Sequence, residues 1–132
     1  MKKLISGLIV LFFCVSLIGC MNEEEKNKIL ENMSAEYYEN GKLAVSVVDK
    51  YIDLEIDASE AETKLKTIHE RLEKENITTN EERLVYSCIL SLYFSFSMTS
   101  LNDKNGLFDF NEESDIKDSR NKLASGLGIP ER

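Results

Sequence analysis

Few side chains in this chain can do chemistry, and most of those stand alone. His69 is the only histidine, set beside Ile68 and Glu70. A zinc site gathers several His, Cys or acidic ligands, so His69 reads as a helix-surface residue. Cys88 has Val85, Ile89 and Leu92 at helical spacing. Reactive thiols need polar, activating surroundings, and this pattern predicts a buried, inert one. The acidic pairs Asp53 with Glu55, Glu81 with Glu82 and Glu112 with Glu113 have the groups for proton transfer. Helix starts, however, also collect carboxylates that complement the helix dipole. There is no glycine-rich phosphate loop and no serine-hydrolase nucleophile motif. No catalytic residue is assigned, and the chain is not expected to be an enzyme. Tyr37 and Tyr38 are adjacent on one helix and are not expected to face a core together, which leaves one as a contact point for a partner.

One stretch concentrates oxygen donors: Leu101-Asn102-Asp103-Lys104-Asn105-Gly106-Leu107-Phe108-Asp109-Phe110-Asn111-Glu112. Aligned on Gly106, it resembles an EF-hand calcium loop. The resemblance implies side-chain ligands from Asp103, Asn105 and Asp109, a backbone carbonyl from Leu107, and a bidentate Glu112. The first ligand position holds Leu101 in place of an acid, and no second loop pairs with this one. Without that carboxylate, any calcium site here is a weak one. The plainer alternative makes Asn105-Gly106 a tight turn and Asp109 or Asn111 a helix cap.

Four helices are expected to position these residues. Leu30, Tyr37, Ala44 and Tyr51 lie seven apart, with Met33, Gly41 and Val48 between them. That is the stripe of a helix from about Ser34 to Leu54, in which Gly41 costs about 1 kcal/mol relative to Ala. Asp57 with Glu60, or Ser59 with Glu62, has capping-box spacing. It opens a second helix, about Ala58 to Glu75, striped by Ala61, Leu65, Ile68 and Leu72. Thr79 with Glu82 repeats the box and opens a third, which holds Leu84, Val85, Cys88, Ile89, Leu92, Tyr93, Phe96 and Met98.

No charge occurs from Leu84 through Leu101, a run of 18 residues. The length suits a membrane span, but its serines dilute the hydrophobicity and no basic cluster flanks it. A helix enclosed by a bundle is therefore expected. Within it Ser87, Ser91, Ser95 and Thr99 recur every four positions, a stripe that admits a close neighbour, a helix of the same bundle or, as the alternative, a partner's helix. After a loop from Leu101 to Phe110, a fourth helix runs from about Asn111 to Ser125, with Ile116 and Leu123 inward and Gly126 as its stop. The fold class is all-α, a small antiparallel bundle of about four helices centred on Val48, Leu65, Leu72, Leu84, Cys88, Leu92 and Phe96.

Ahead of that domain stand Lys2 and Lys3, an uncharged, mostly apolar run from Leu4 to Leu17, and then Ile18-Gly19-Cys20. This is the layout of a secretory signal peptide. The run falls short of the roughly 18 to 20 apolar residues of a membrane span. Its end resembles the lipobox of bacterial lipoprotein precursors. The resemblance implies cleavage before Cys20 and a diacylglycerol joined through a thioether to the Cys20 sulfur. Residues 1–19 are then signal peptide, 20–33 a lipidated polar tether or the first turns of a helix, and 34–132 the helical domain. Two acyl chains give stable attachment, which places the domain on the extracytoplasmic face of the cell membrane.

Cleavage removes Lys2 and Lys3 and moves the formal charge from -8 to -10. So acidic a surface repels phosphate backbones, and nucleic acid is not an expected partner. Cys14 leaves with the signal and Cys20 carries lipid, so Cys88 has no partner for an internal disulfide. No cofactor is expected apart from the lipid. The chain reads as a membrane-anchored module that binds a protein or peptide. The alternatives are a weak calcium-binding helical module, or a signal peptide whose Leu11 to Gly19 segment is the precursor of a secreted peptide signal.

Overall fold

The computed structural model describes residues 22–107 and 110–132. The signal segment, Cys20 and Asp109 lie outside the described residues. Among those described, the chain forms five helices and no strand: α1 (Glu23–Leu30), α2 (Ala35–Ile52), α3 (Ala58–Leu72), α4 (Asn80–Asn105) and α5 (Phe110–Gly126). The four expected helices are present, and the fifth is α1, built from the stretch read as a tether. Asn22 caps it, and Glu23, Glu24 and Glu25 fill its first turn, where carboxylates complement the dipole.

Each helix start obeys its local chemistry. The Ser34 hydroxyl accepts from the Tyr37 amide and Asp57 from the Glu60 amide. Thr79 and Glu82 form a complete capping box, each side chain serving the other's backbone. Three of the ends share one device. Leu54, Gly106 and Gly128 all have φ near +60° to +67°, and the amides of Glu55, Leu107 and Ile129 reach back to carbonyls five residues earlier. This closes the last turn as a Schellman motif. Glycine suits that geometry; Leu54 does not, and it is 89% exposed as well.

Contacts fix the topology. Gly41 lies against Val85 and Tyr51 packs edge-on against Phe96 at 4.8 Å, so α2 and α4 run parallel. Asp49 pairs with Arg120 while Gly41 meets Leu127, so α5 runs antiparallel to α2. Short turns reverse the chain between α2, α3 and α4. The result is an up-down-up-down bundle with α4 packed against α2, α3 and α5. Its core includes Tyr37, Val48, Leu65, Leu72, Ile89, Leu92, Phe96, Ile116, Leu123 and Leu127. A Cβ on Gly41 would come within 2.8 Å of Leu127. The glycine that weakens α2 is what lets the returning chain pack there.

Several expectations need correction. Tyr37 and Tyr38 are both buried. Ile29 and Leu30 of α1 pack against the core, and the Lys26 and Lys42 ammonium groups lie 5.8 and 5.3 Å from the Tyr38 ring. His69 is also buried, its ring 5.1 Å from Tyr86 and 6.1 Å from Tyr93. The segment from Leu101 is not a loop, since α4 continues to Asn105. Glu112 of α5 holds that extension, accepting from the Thr99 hydroxyl at 3.2 Å and from the Asn102 amide at 2.5 Å.

Candidate interaction surface

The 18-residue uncharged run supplies two faces of α4. At about 100° per residue, Ile89 and Phe96 point one way and Leu92 lies close beside them; all three are fully buried. On the other side Phe94 is 59% exposed, Met98 55% and Leu101 50%, and Leu84, on the flank beside Gly126 of α5, is 40% exposed. Ser87 and Ser91, also exposed, complete the row. Positions 84, 87, 91, 94, 98 and 101 alternate steps of three and four, the spacing of a coiled-coil seam. On a straight helix such a row drifts by about 20° per heptad, so it spans about 100° of the α4 surface, with its middle opposite the core.

Isolated exposed apolar residues are ordinary. An aligned uncharged row is different, because contiguous exposed apolar surface marks contact sites. Leu84, expected in the core, belongs to this row, as does Met98. The serine stripe resolves differently as well: a four-residue step advances about 40° around the helix, so Ser87 and Ser91 face solvent while Thr99 is buried. By length and composition α4 can cross a membrane, and a third of its most apolar window is buried in the bundle.

Two buried charges hold α4 and its neighbours in place. The Glu82 carboxylate accepts from the Ser34 amide at 2.9 Å, the Thr78 amide at 2.7 Å, the Thr78 hydroxyl at 2.8 Å and the Thr79 amide at 3.3 Å. Burial pushes this carboxyl upward, but the four donors outweigh burial and hold it below the usual carboxylate range. One side chain thus joins the start of α2 to the α3–α4 turn. At the far side Arg120, buried on α5, forks onto both Asp49 oxygens at 2.9 and 3.0 Å and donates to the Pro130 carbonyl at 2.7 Å. Arg132 pairs with Asp53, so the last residues are clasped against α2.

Among the described residues, the other sequence-assigned positions do not come together. Asp103 and Asn105 sit two apart on a helix, where side chains diverge by about 200°. Asp103 instead borders a depression of about 260 Å³ with Asp57, Ser59, Ser100 and Lys104. The Leu107 amide closes the end of α4, and Glu112 is engaged as described above. Among the described residues no three His, Cys, Asp or Glu side chains gather around a metal position. Cys88 is a free, buried thiol, pushed up by burial and drawn partly back by Lys122. A groove of about 770 Å³ between α4 and α5, lined in part by Leu84, Asn121, Lys122 and Ser125, opens beside the first residue of the row.

Along α4 itself, charges border the row only at its ends, Glu81 and Arg83 before it and Asp103 and Lys104 after it; from α5, Asp118 and Lys122 line the groove beside Leu84. Sequence reasoning missed Phe94 altogether. The available signal was an excess: the run holds more large apolar residues than one helix face can bury, and the surplus falls on a second 3–4 row. No family model, curated protein or solved structure matches this chain.

Proposed function

We propose that this protein is an extracytoplasmic interaction module, held at the cell membrane by diacylglycerol on Cys20, that binds a protein or peptide helix through the solvent face of α4. The aligned row of Leu84, Phe94, Met98 and Leu101 carries the reading: half-exposed apolar side chains at seam spacing on a helix whose opposite face is locked into the core. Burying such side chains against a partner returns about 25 cal/mol per Å² of apolar surface. The anchor rests on the order of charge, apolar run, Gly19 and Cys20.

Two substitutions in the full chain separate these parts. Cys20→Ser is expected to move the protein out of the membrane fraction and abolish incorporation of labelled fatty acid. Phe94→Glu is expected to leave membrane attachment intact and remove protein adducts formed by crosslinking on intact cells. Attachment that survives Cys20→Ser sinks the lipid anchor; adducts that survive Phe94→Glu sink the contact face.

A further inference from the structure

Resting on that reading of the α4 face, we infer that its occupant is a second copy of the same chain, with the two α4 helices laid antiparallel. A two-fold interface must be complementary to itself, and this row is. Centre the pair between Leu92 and Tyr93, and Leu84 meets the partner's Leu101, Ser87 meets the partner's Met98, and Ser91 meets the partner's Phe94. Large side chains fall opposite small ones at both inner layers, and the symmetry repeats each layer. A parallel pairing in register stacks Phe94 on Phe94 and Met98 on Met98, while Ser87 and Ser91 face only themselves and leave gaps.

Charge selects the same face. Once cleaved before Cys20, which takes the basic residues from 16 to 14 against 24 acidic ones, the chain carries a net charge of -10, so two copies repel through most of their surfaces. The 18 uncharged residues of α4 are where that repulsion is least. The antiparallel geometry also sets Arg83 beside the partner's Lys104 at each end. This exposed like-charge pair costs little, and together with the net charge it makes association strengthen as salt rises.

The chain ahead of the fold adds a third constraint. Only Met21 and Asn22 separate Cys20 from α1, a reach of roughly 7 to 10 Å. Every anchored copy is then held at a similar height above the bilayer, and confinement raises the effective concentration of one row for another. The two-fold axis of an antiparallel pair is perpendicular to both helices; set along the membrane normal, it leaves both anchors in one membrane.

The test uses two distinguishable tagged forms of the full chain, co-expressed and lipidated, one with Leu84→Cys and the other with Leu101→Cys. Mild oxidation of the membranes is expected to give the mixed disulfide at least tenfold over either same-position disulfide. Ser91→Leu, an exposed change that overfills the layer facing the partner's Phe94, is expected to cut that yield at least fivefold with the helical content unchanged. Dominant same-position disulfides, or a yield indifferent to Ser91→Leu, overturn the arrangement. If no disulfide forms and a photocrosslinker at position 94 captures a different protein, the second copy is wrong and the contact face stands. Capture of lipid alone, or of nothing, removes both.

Discussion

The two faces of α4 are made from nearly the same residue types, yet they do opposite work. Phe96 sits in the core with its ring edge-on to Tyr51, whereas Phe94, two residues earlier, is 59% exposed. Both lie in one uncharged run, so local hydrophobicity does not separate them. What separates them is company: α2, α3 and α5 close around one face, whereas the other is approached at its edge, where Gly126 of α5 lies beside Leu84. An apolar helix can therefore be only half buried by its own fold, and the proposed contact face rests on the half left exposed.

Truncation should separate the faces most strongly. Phe96→Ala is expected to cost about 3 to 5 kcal/mol, since it opens a cavity in a closed core, whereas Phe94→Ala is expected to change stability by less than about 0.5 kcal/mol. Chemical denaturation of the two variants reads both. Equal losses would mean that the Phe94 face is structural.

The polar knot that ties α4 to α2 should come next. Glu82→Ala leaves the Ser34, Thr78 and Thr79 amides without their acceptor and is expected to cost about 2 to 4 kcal/mol. The sign with pH follows from a carboxyl held below its ordinary range in the folded state. Its contribution is present above the unfolded glutamate value of about 4.3 and is lost as pH falls through the lower folded value. Acid titration of stability should therefore be shallower in Glu82→Gln than in the parent. A parallel acid profile for the two would remove Glu82 from the account.

A smaller effect, of opposite sign, is expected at Leu54, which occupies the left-handed position that Gly106 and Gly128 fill at the ends of α4 and α5. Leu54→Gly relieves that backbone and should raise stability by about 1 kcal/mol, read as a higher melting temperature. A fall would show that the exposed Leu54 side chain makes a stabilising contact. The smallest stability effect belongs to Phe94→Glu, within about 0.5 kcal/mol of the parent, with its whole consequence in association. A folding defect in that variant would erase the distinction between the faces.

Much of the fold was legible from periodicity and caps. Ser34, Asp57 and Thr79 open the helices that their side chains announce, and Leu65, Leu72, Cys88, Leu92 and Phe96 are buried as their stripes require. The misses share a cause, which is that tertiary packing decides what a local pattern leaves open. Tyr38 is covered because α1 packs back over it, which the polar composition of Glu23–Leu30 did not reveal. His69 is buried because Tyr86 and Tyr93 come from another helix. Asp103 and Asn105 spell a calcium loop by spacing alone, but α4 runs through both, and Glu112 of the next helix accepts from Thr99 and Asn102 within it. Leu84 reads as inward because a run apolar on both sides does not say which side the neighbours take.

The most direct test places a photocrosslinking side chain at Ser91 or Phe94 of α4, and at Lys66 or Glu70 on the exposed side of α3, in the full chain on intact cells. The account predicts discrete adducts from positions 91 and 94 and none above background from 66 and 70. Equal labelling from all four positions, or adducts only from α3, would contradict the claim that the solvent face of α4 is the surface this protein uses.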